Sequence, residues 1–241
     1  MKQYIFAGVF ALASAGAAAA QTGTPLGKFT LGTAGLSTAF GLSGNTLGLT
    51  FSGSYGQPRG IDATRFDAST ALSFGLGDPV NGVGLQFDAN LTSFRKFGAS
   101  GNFSANIHKM FQVNDKGVYS VMLSAGNLGA WGDAATLPEN ASLIGSYMFG
   151  MGAHPAMVTI GATTALNRNN DIEAIGAFGY SLNSEWALNV GFAGQTPVVG
   201  ATWQPEFLSN TPITISISDI DDDAKRKLQI DIGHTFSLTG N

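Results

Sequence analysis

The sequence predicts an all-β chain, a transmembrane antiparallel up-and-down β-barrel of about 12–14 strands. Three observations carry this expectation. Apolar residues alternate with polar or small ones along most of the chain, and period two is the signature of a strand with two unlike faces. Charged residues are 12% of the 241, about half the usual share, while the 33 glycines are about twice theirs. After the N-terminus no stretch reaches about 18 continuous apolar residues, and mean hydropathy is only +0.14. A wall of strands facing hydrocarbon accounts for all three, because its outer face needs few charges.

The elements follow in order. Lys2 precedes an apolar run over residues 4–13, then a small-residue stretch ending in Ala18-Ala19-Ala20 before Gln21. A charged start, a short apolar region and an A-x-A site form a secretory signal. The run is too short to span a bilayer as a helix, which takes roughly 20 residues. Residues 1–20 are therefore expected to be cleaved, leaving 21–241 as a single barrel domain that begins at Gln21.

In the first clear strand Leu47, Leu49, Phe51 and Tyr55 oppose Thr46, Gly48, Thr50, Ser52 and Ser54. Next, Phe66, Ala68, Leu72, Phe74 and Leu76 oppose Asp67, Ser69 and Ser73. Leu85, Phe87, Ala89 and Leu91 oppose Gln86, Asp88 and Asn90, and Phe103, Ala105 and Ile107 oppose Ser104, Asn106 and His108. Tyr119, Val121 and Leu123 continue the pattern, then Leu143, Tyr147 and Phe149, and then Val158 and Ile160. Phe178 and Tyr180 follow, then Trp186, Leu188, Val190 and Phe192, then Val199, Ala201 and Trp203, then Ile213, Ile215 and Ile217. No stretch carries a 3.6-residue stripe. A β-sandwich would also alternate, but its watered face normally carries charge, and here that face is Gly, Ser, Thr and Asn. A solenoid would need a fixed repeat, and none is evident.

Turns rich in Gly, Pro, Asn and Asp at 43–45, 78–81, 114–117, 152–155 and 183–185 alternate with longer or more polar segments at 57–65, 93–98, 126–141, 167–171 and 219–227. Short turns on one side and long loops on the other are the asymmetry of a bacterial barrel. With a weakly patterned first strand at 26–31 the count is about fourteen, or twelve, the stretch 196–211 being ambiguous.

The chain closes on residues 228–238, where Leu228, Ile230, Ile232, His234, Phe236 and Leu238 share one side of a strand. Within it Gly233, Phe236 and Leu238 resemble the C-terminal insertion signal of Gram-negative outer-membrane β-barrels. Many members of that class end on the final aromatic; here Leu238 takes its place and three residues follow. The resemblance implies a protein of the outer membrane, with its lipids and the barrel-assembly machinery as partners. It is porin-like in class and points to no narrower family.

Composition narrows the function. With no cysteine there is no disulfide framework and no thiolate metal site. Removing Lys2 with the signal takes the net charge from −4 to about −5, and there is no basic stripe for nucleic acid. No nucleophile elbow or phosphate loop is present. His108 and Ser104 share a face and imitate a hydrolase pair, but serine is common on all these faces. An enzyme is not expected, nor a cofactor. The acids Asp219, Asp221, Asp222 and Asp223 are followed by Lys225, Arg226 and Lys227 and are read as a solvated loop without a metal.

The interior is expected to be small and polar. Asp67, Asp88 and Asp231 face inward in this register and are lumen and selectivity candidates, since inward carboxylates favour cations. Arg65, Arg95 and Lys96, near the loop ends of strands, are candidates for a constriction. Loop 126–141, with Trp131, Leu137 and Pro138, is a candidate plug or interfacial anchor. The leading expectation is a passive channel for ions or small hydrophilic solutes. A plugged structural or adhesive barrel is the alternative, and a lipid-modifying barrel enzyme the third.

Overall fold

A computed structural model of the chain describes residues 31, 33, 36–56, 65–92, 94, 97–112, 117–208, 210–220 and 226–238. Twelve strands run in chain order: β1 Thr46–Gly56, β2 Arg65–Gly77, β3 Gly84–Leu91, β4 Gly101–Gln112, β5 Gly117–Trp131 and β6 Asn140–Met151, then β7 His154–Thr163, β8 Glu173–Ser181, β9 Trp186–Ala193, β10 Thr196–Trp203, β11 Ile213–Ser218 and β12 Lys227–Ser237. Each pairs antiparallel with its chain neighbours, and β1 pairs with β12 from Thr46↔Ser237 to Gly56↔Lys227, which closes the barrel. Closure leaves no strand edge, the condition for carrying β-structure through hydrocarbon.

Alternation sets the two faces. Leu49, Phe51, Leu72, Phe87, Leu123 and Leu188 stand exposed on the outside. Ser52, Ser73, Asp88, Ser120, Thr159 and Asp231 are buried on the inside. Aromatic pairs mark both rims of the outer wall. Phe51–Phe94 and Phe103–Trp131 lie toward the loop end. Phe111–Tyr119, Tyr147–Phe149 and Trp186–Trp203 lie toward the short-turn end, where β1 begins and β12 ends. Two such belts flank the apolar band of a membrane barrel.

The count is twelve among the described residues, within the expected 12–14, with 196–211 supplying one strand. After Trp203 the chain meets Pro205 and Pro212 around a 3₁₀ turn at Glu206–Leu208, and proline cannot donate to a ladder. Two expectations change. The first strand expected at 26–31 lies outside the described residues except for Leu31, which is non-strand and buried, and β1 pairs with β12 to close the barrel. The connection 126–141 is half strand, with β5 reaching Trp131 and β6 starting at Asn140. β5 runs on to Trp131, bent where its register with β4 shifts and where Asn127 (φ 57°) and Gly129 (φ 53°) take left-handed backbone. The 3₁₀ turn Gly132–Thr136 packs on β4 and β5, and the Ala134 N–H donates to Ser100 Oγ. Trp131 stacks on the outward-facing Phe103, so it anchors the outer rim and does not plug the lumen.

Leu123, near the middle of β5 and 53% exposed, tests the outer wall. Leu123→Arg is expected to destabilise the barrel by about 2–4 kcal/mol in lipid, measured by reversible denaturation in vesicles, whereas a polar substitution at the inward Ser124 should cost much less.

Candidate functional site: a two-walled lumen and the segment inside it

The lumen has two unlike walls. On β1–β4 and β12 it is polar and tightly hydrogen-bonded. Asp231 accepts from Ser52 Oγ at 2.5 Å and from Gln229 Nε2 at 2.9 and 3.0 Å. Asp88 accepts from Gln86 Nε2 at 2.7 Å and from Asn106 Nδ2 at 2.8 Å. Asn90 continues the network to Asn102 Oδ1 (2.9 Å) and Ser104 Oγ (3.0 Å). Register builds these clusters: Asp231 sits opposite Ser52, and Asp88 lies between Ser73 and Ser104. Charged acceptors with several amide and hydroxyl donors are held firmly in place.

On β5–β8 and β10 the wall carries the lumen's apolar side chains, interleaved with the buried Ser120, Ser146, Thr159, Ser181 and Thr202. Val118, Met122, Ile144, Met148, Met157, Ile175 and Val198 all point inward and are buried. This departs from the small polar interior that alternation alone implied. The reason lies upstream of β1, where residues 36–43 run inside the barrel.

Leu36 and Ala39 pack on Met122, Ile144, Ile175 and Ala177. Leu31 and Phe40 pack on Val118, Met148 and Met157. The Leu36 N–H donates to Thr33 O at 3.0 Å. Phe40, Ala39 and Leu42 are 1% exposed or less. The segment's backbone is satisfied by the wall: the Ala39 N–H donates to Ser146 Oγ (2.9 Å), Ser120 Oγ donates to Ala39 O (2.7 Å), and the Leu42 N–H donates to Gln86 Oε1 (2.9 Å). That last bond ties the segment to the Asp88 network. Gly44 and Asn45 then bond Gly77 O and Gly75 O and lead into β1.

His108 completes the contact. It is 1% exposed, and neither ring nitrogen has a hydrogen-bond partner among the described residues. A Cβ on Gly41 would lie 2.6 Å from its Cε1 and Nδ1, and one on Gly84 would lie 2.4 Å from its Nε2. The imidazole is thus gripped between the inner segment and β3, and only glycine fits on either side. It makes no pair with Ser104, four residues away along the strand or roughly 13 Å, whose Oγ accepts from Asn90.

Of the sequence candidates, Asp88 and Asp231 face the lumen, and so does the half-buried Asp67, whose Oδ1 accepts from the Ala68 N–H at 2.8 Å. Arg65 lies across Gly56 from Lys227 at the loop-end rim; its side chain is outside the described residues, as are Arg95 and Lys96 entirely. Gly233 and Phe236 lie in β12, with Phe236 and Leu238 exposed. In the β2–β3 turn, hydrogen bonds from the Asn81 side chain and from the Asn81 and Val80 backbone hold Asp78 below the usual carboxylate range. No cluster of potential metal ligands occurs among the described residues.

No known protein family matches this sequence, and no curated protein does. Solved structures do. A structure described as "KdgM porin" shares 8% identity, covers 78% of this chain and 99% of its own, and superposes with a TM-score of 0.53. A second structure of it is described as in complex with disordered oligogalacturonate (TM-score 0.52, 8% identity, 78% and 99% covered). The COG4313 outer membrane channel from Pseudomonas putida F1 shares 12% identity over 80% of this chain and 96% of its own, with a TM-score of 0.52. This is the fold of a porin-like outer-membrane barrel. At such identities the likeness speaks for the architecture alone.

Phe40 is the largest apolar side chain that the segment buries. Phe40→Ala is expected to weaken docking by about 3–5 kcal/mol through lost burial and an unfilled cavity. The measurement is limited proteolysis of the folded barrel, with cleavage within 36–43 rising while the barrel itself stays resistant.

Proposed function

We propose that the chain is a porin-like channel of a Gram-negative outer membrane, exported by residues 1–20 and inserted by the assembly machinery that reads Gly233, Phe236 and Leu238. It passes ions and small hydrophilic solutes through its lumen, with residues 36–43 as the resting obstruction. The observation that supports this most is the division of the lumen. A polar wall carrying Asp88 and Asp231 is built on one side, and an apolar wall with its own cover on the other. Both carboxylates are held by several donors, so their field acts at fixed points along the lumen.

In the docked arrangement the lumen is closely filled, with Asp88 8% and Asp231 2% exposed. Conduction follows when the segment moves and water reaches the polar wall. The inward carboxylates then favour cations, because a low-dielectric wall focuses their field on the path. They also oppose a polyanion such as the oligogalacturonate described with the KdgM porin. The second reading, a permanently plugged barrel, is favoured by the burial of Phe40, Ala39 and Leu42; it differs only in whether the segment ever leaves.

The deciding experiment is a planar-bilayer recording of refolded mature protein under a salt gradient, alongside a variant lacking residues 21–41. Discrete conductance steps with cation-selective reversal are expected, larger and more frequent after deletion. Asp88→Asn and Asp231→Asn should each move the reversal potential toward the unselective value, and Asp67→Asn should do so less. Reversal potentials unchanged in all three would remove the carboxylates from selectivity. Silence from the deletion variant, with heat-dependent gel mobility showing it folded, would establish the plugged barrel.

A further inference from the structure

We propose that His108 is an acid-sensitive latch: while neutral it holds segment 36–43 in the lumen, and on protonation it releases it. The geometry is that of a side chain packed as though it were apolar. Its ring fills the gap between Gly41 and Gly84, is 1% exposed, and has both nitrogens buried without partners. A neutral imidazole already leaves one donor and one acceptor unmet in this position. The protonated ring would present two donors and a full charge to the same surroundings, and a buried charge without acceptors is far more costly than a buried polar group.

The neighbours offer no rescue. Among the described residues, β5 and residues 36–43 carry no titratable or charged side chain other than Tyr119, which points outward. On β3 the nearby charge is Asp88, whose oxygens are engaged by Gln86 and Asn106. On β4 it is Lys109, which donates to Gly82 O at 2.6 Å and lies over the Phe111 ring. In the β2–β3 turn it is Asp78, occupied by Asn81 and Val80. None of these hydrogen-bonds the ring.

Lifting Gly41 away gives His108 what it lacks, because one face of the ring then meets water. The attachment that must break is three hydrogen bonds to the wall and the apolar contacts of Leu31, Leu36, Ala39, Phe40 and Leu42. A hydrated imidazole titrates near about 6.5, so if the docked state excludes the protonated ring, docking weakens by about thirty-fold between about pH 7.5 and pH 5. The sign is fixed: the docked state is favoured above that value and lost as pH falls through it. The latch thus regulates the lumen proposed above and rests on that reading for its physiological meaning, though not for its test.

The test reads the segment directly. The chain has no cysteine, so Ser37→Cys carries a single nitroxide label on the half-buried Ser37. Electron spin resonance of the folded protein in lipid vesicles should show an immobile label at about pH 7.5 and a large mobile population at about pH 5. His108→Phe, of similar shape and unable to titrate, should keep the label immobile at both. Gly41→Ala drives a methyl group into the ring and should free the label at both. A label that stays immobile in the parent protein at about pH 5, or one released equally in His108→Phe, would overturn the latch. Bilayer recordings of the same proteins separate this from the channel reading: a label that moves without conductance upholds the latch and refutes the channel.

Discussion

Everything in this molecule depends on the hydrogen bonds between β1 and β12. In hydrocarbon an unpaired backbone amide has no water to turn to. A sheet can cross a membrane only if its first and last strands find each other. Residues Thr46 to Gly56 do so along their full length against Lys227 to Ser237. The requirement that the ladder close fixes an even number of strands and one register. It also turns the apolar face outward at every position, so that leucines and phenylalanines that would be a liability in water become the surface that lipid solvates. The inside is then left free to carry chemistry.

What the inside carries is an asymmetry. Its polar half is self-satisfied, with Asp88 and Asp231 each supplied with donors from adjacent strands. Its apolar half is not self-sufficient, because Met122, Ile144, Met148 and Met157 would face water across an empty lumen. The segment before β1 meets that need with Leu36, Ala39 and Phe40. Flexible methionine side chains suit a surface that has to fit an irregular, non-strand partner. The contact with His108 differs in kind, a shape fit that leaves polar atoms unserved.

Most of the wall was legible in the sequence. Alternation at Leu228, Ile230 and Ile232 against Gln229 and Asp231 gave the faces of β12, and the same logic put Asp88 inside β3. The stretch around Leu143 and Ile144 was harder, because both neighbours are apolar. Ile144 points inward against Leu36, a long-range contact that local alternation does not announce. Residues 36–43 have no period to read, since a segment held by a surrounding wall repeats nothing. The grip on His108 depends on Gly41 and Gly84 approaching from different elements, and no local pattern announces such a convergence. The ambiguity at 196–211, one strand or two, has the opposite origin. Apolar content suggested structure there, but Pro205 and Pro212 make the connection a turn.

The bond between Ser52 and Asp231 joins residues 179 apart in sequence, and the one between Ala39 and Ser146 joins residues 107 apart. Contacts of such range repay chain entropy only after most of the molecule is in place. The two events are also ordered by topology. The face that receives the segment is made by strands in the middle of the chain, whereas the seam closes only when the first strand meets the last. The hairpins β5–β8 can therefore offer a binding surface to the N-terminal segment before the β1–β12 seam closes. A barrel built this way folds around its own contents, and the occupant of the lumen becomes a template for the wall that encloses it.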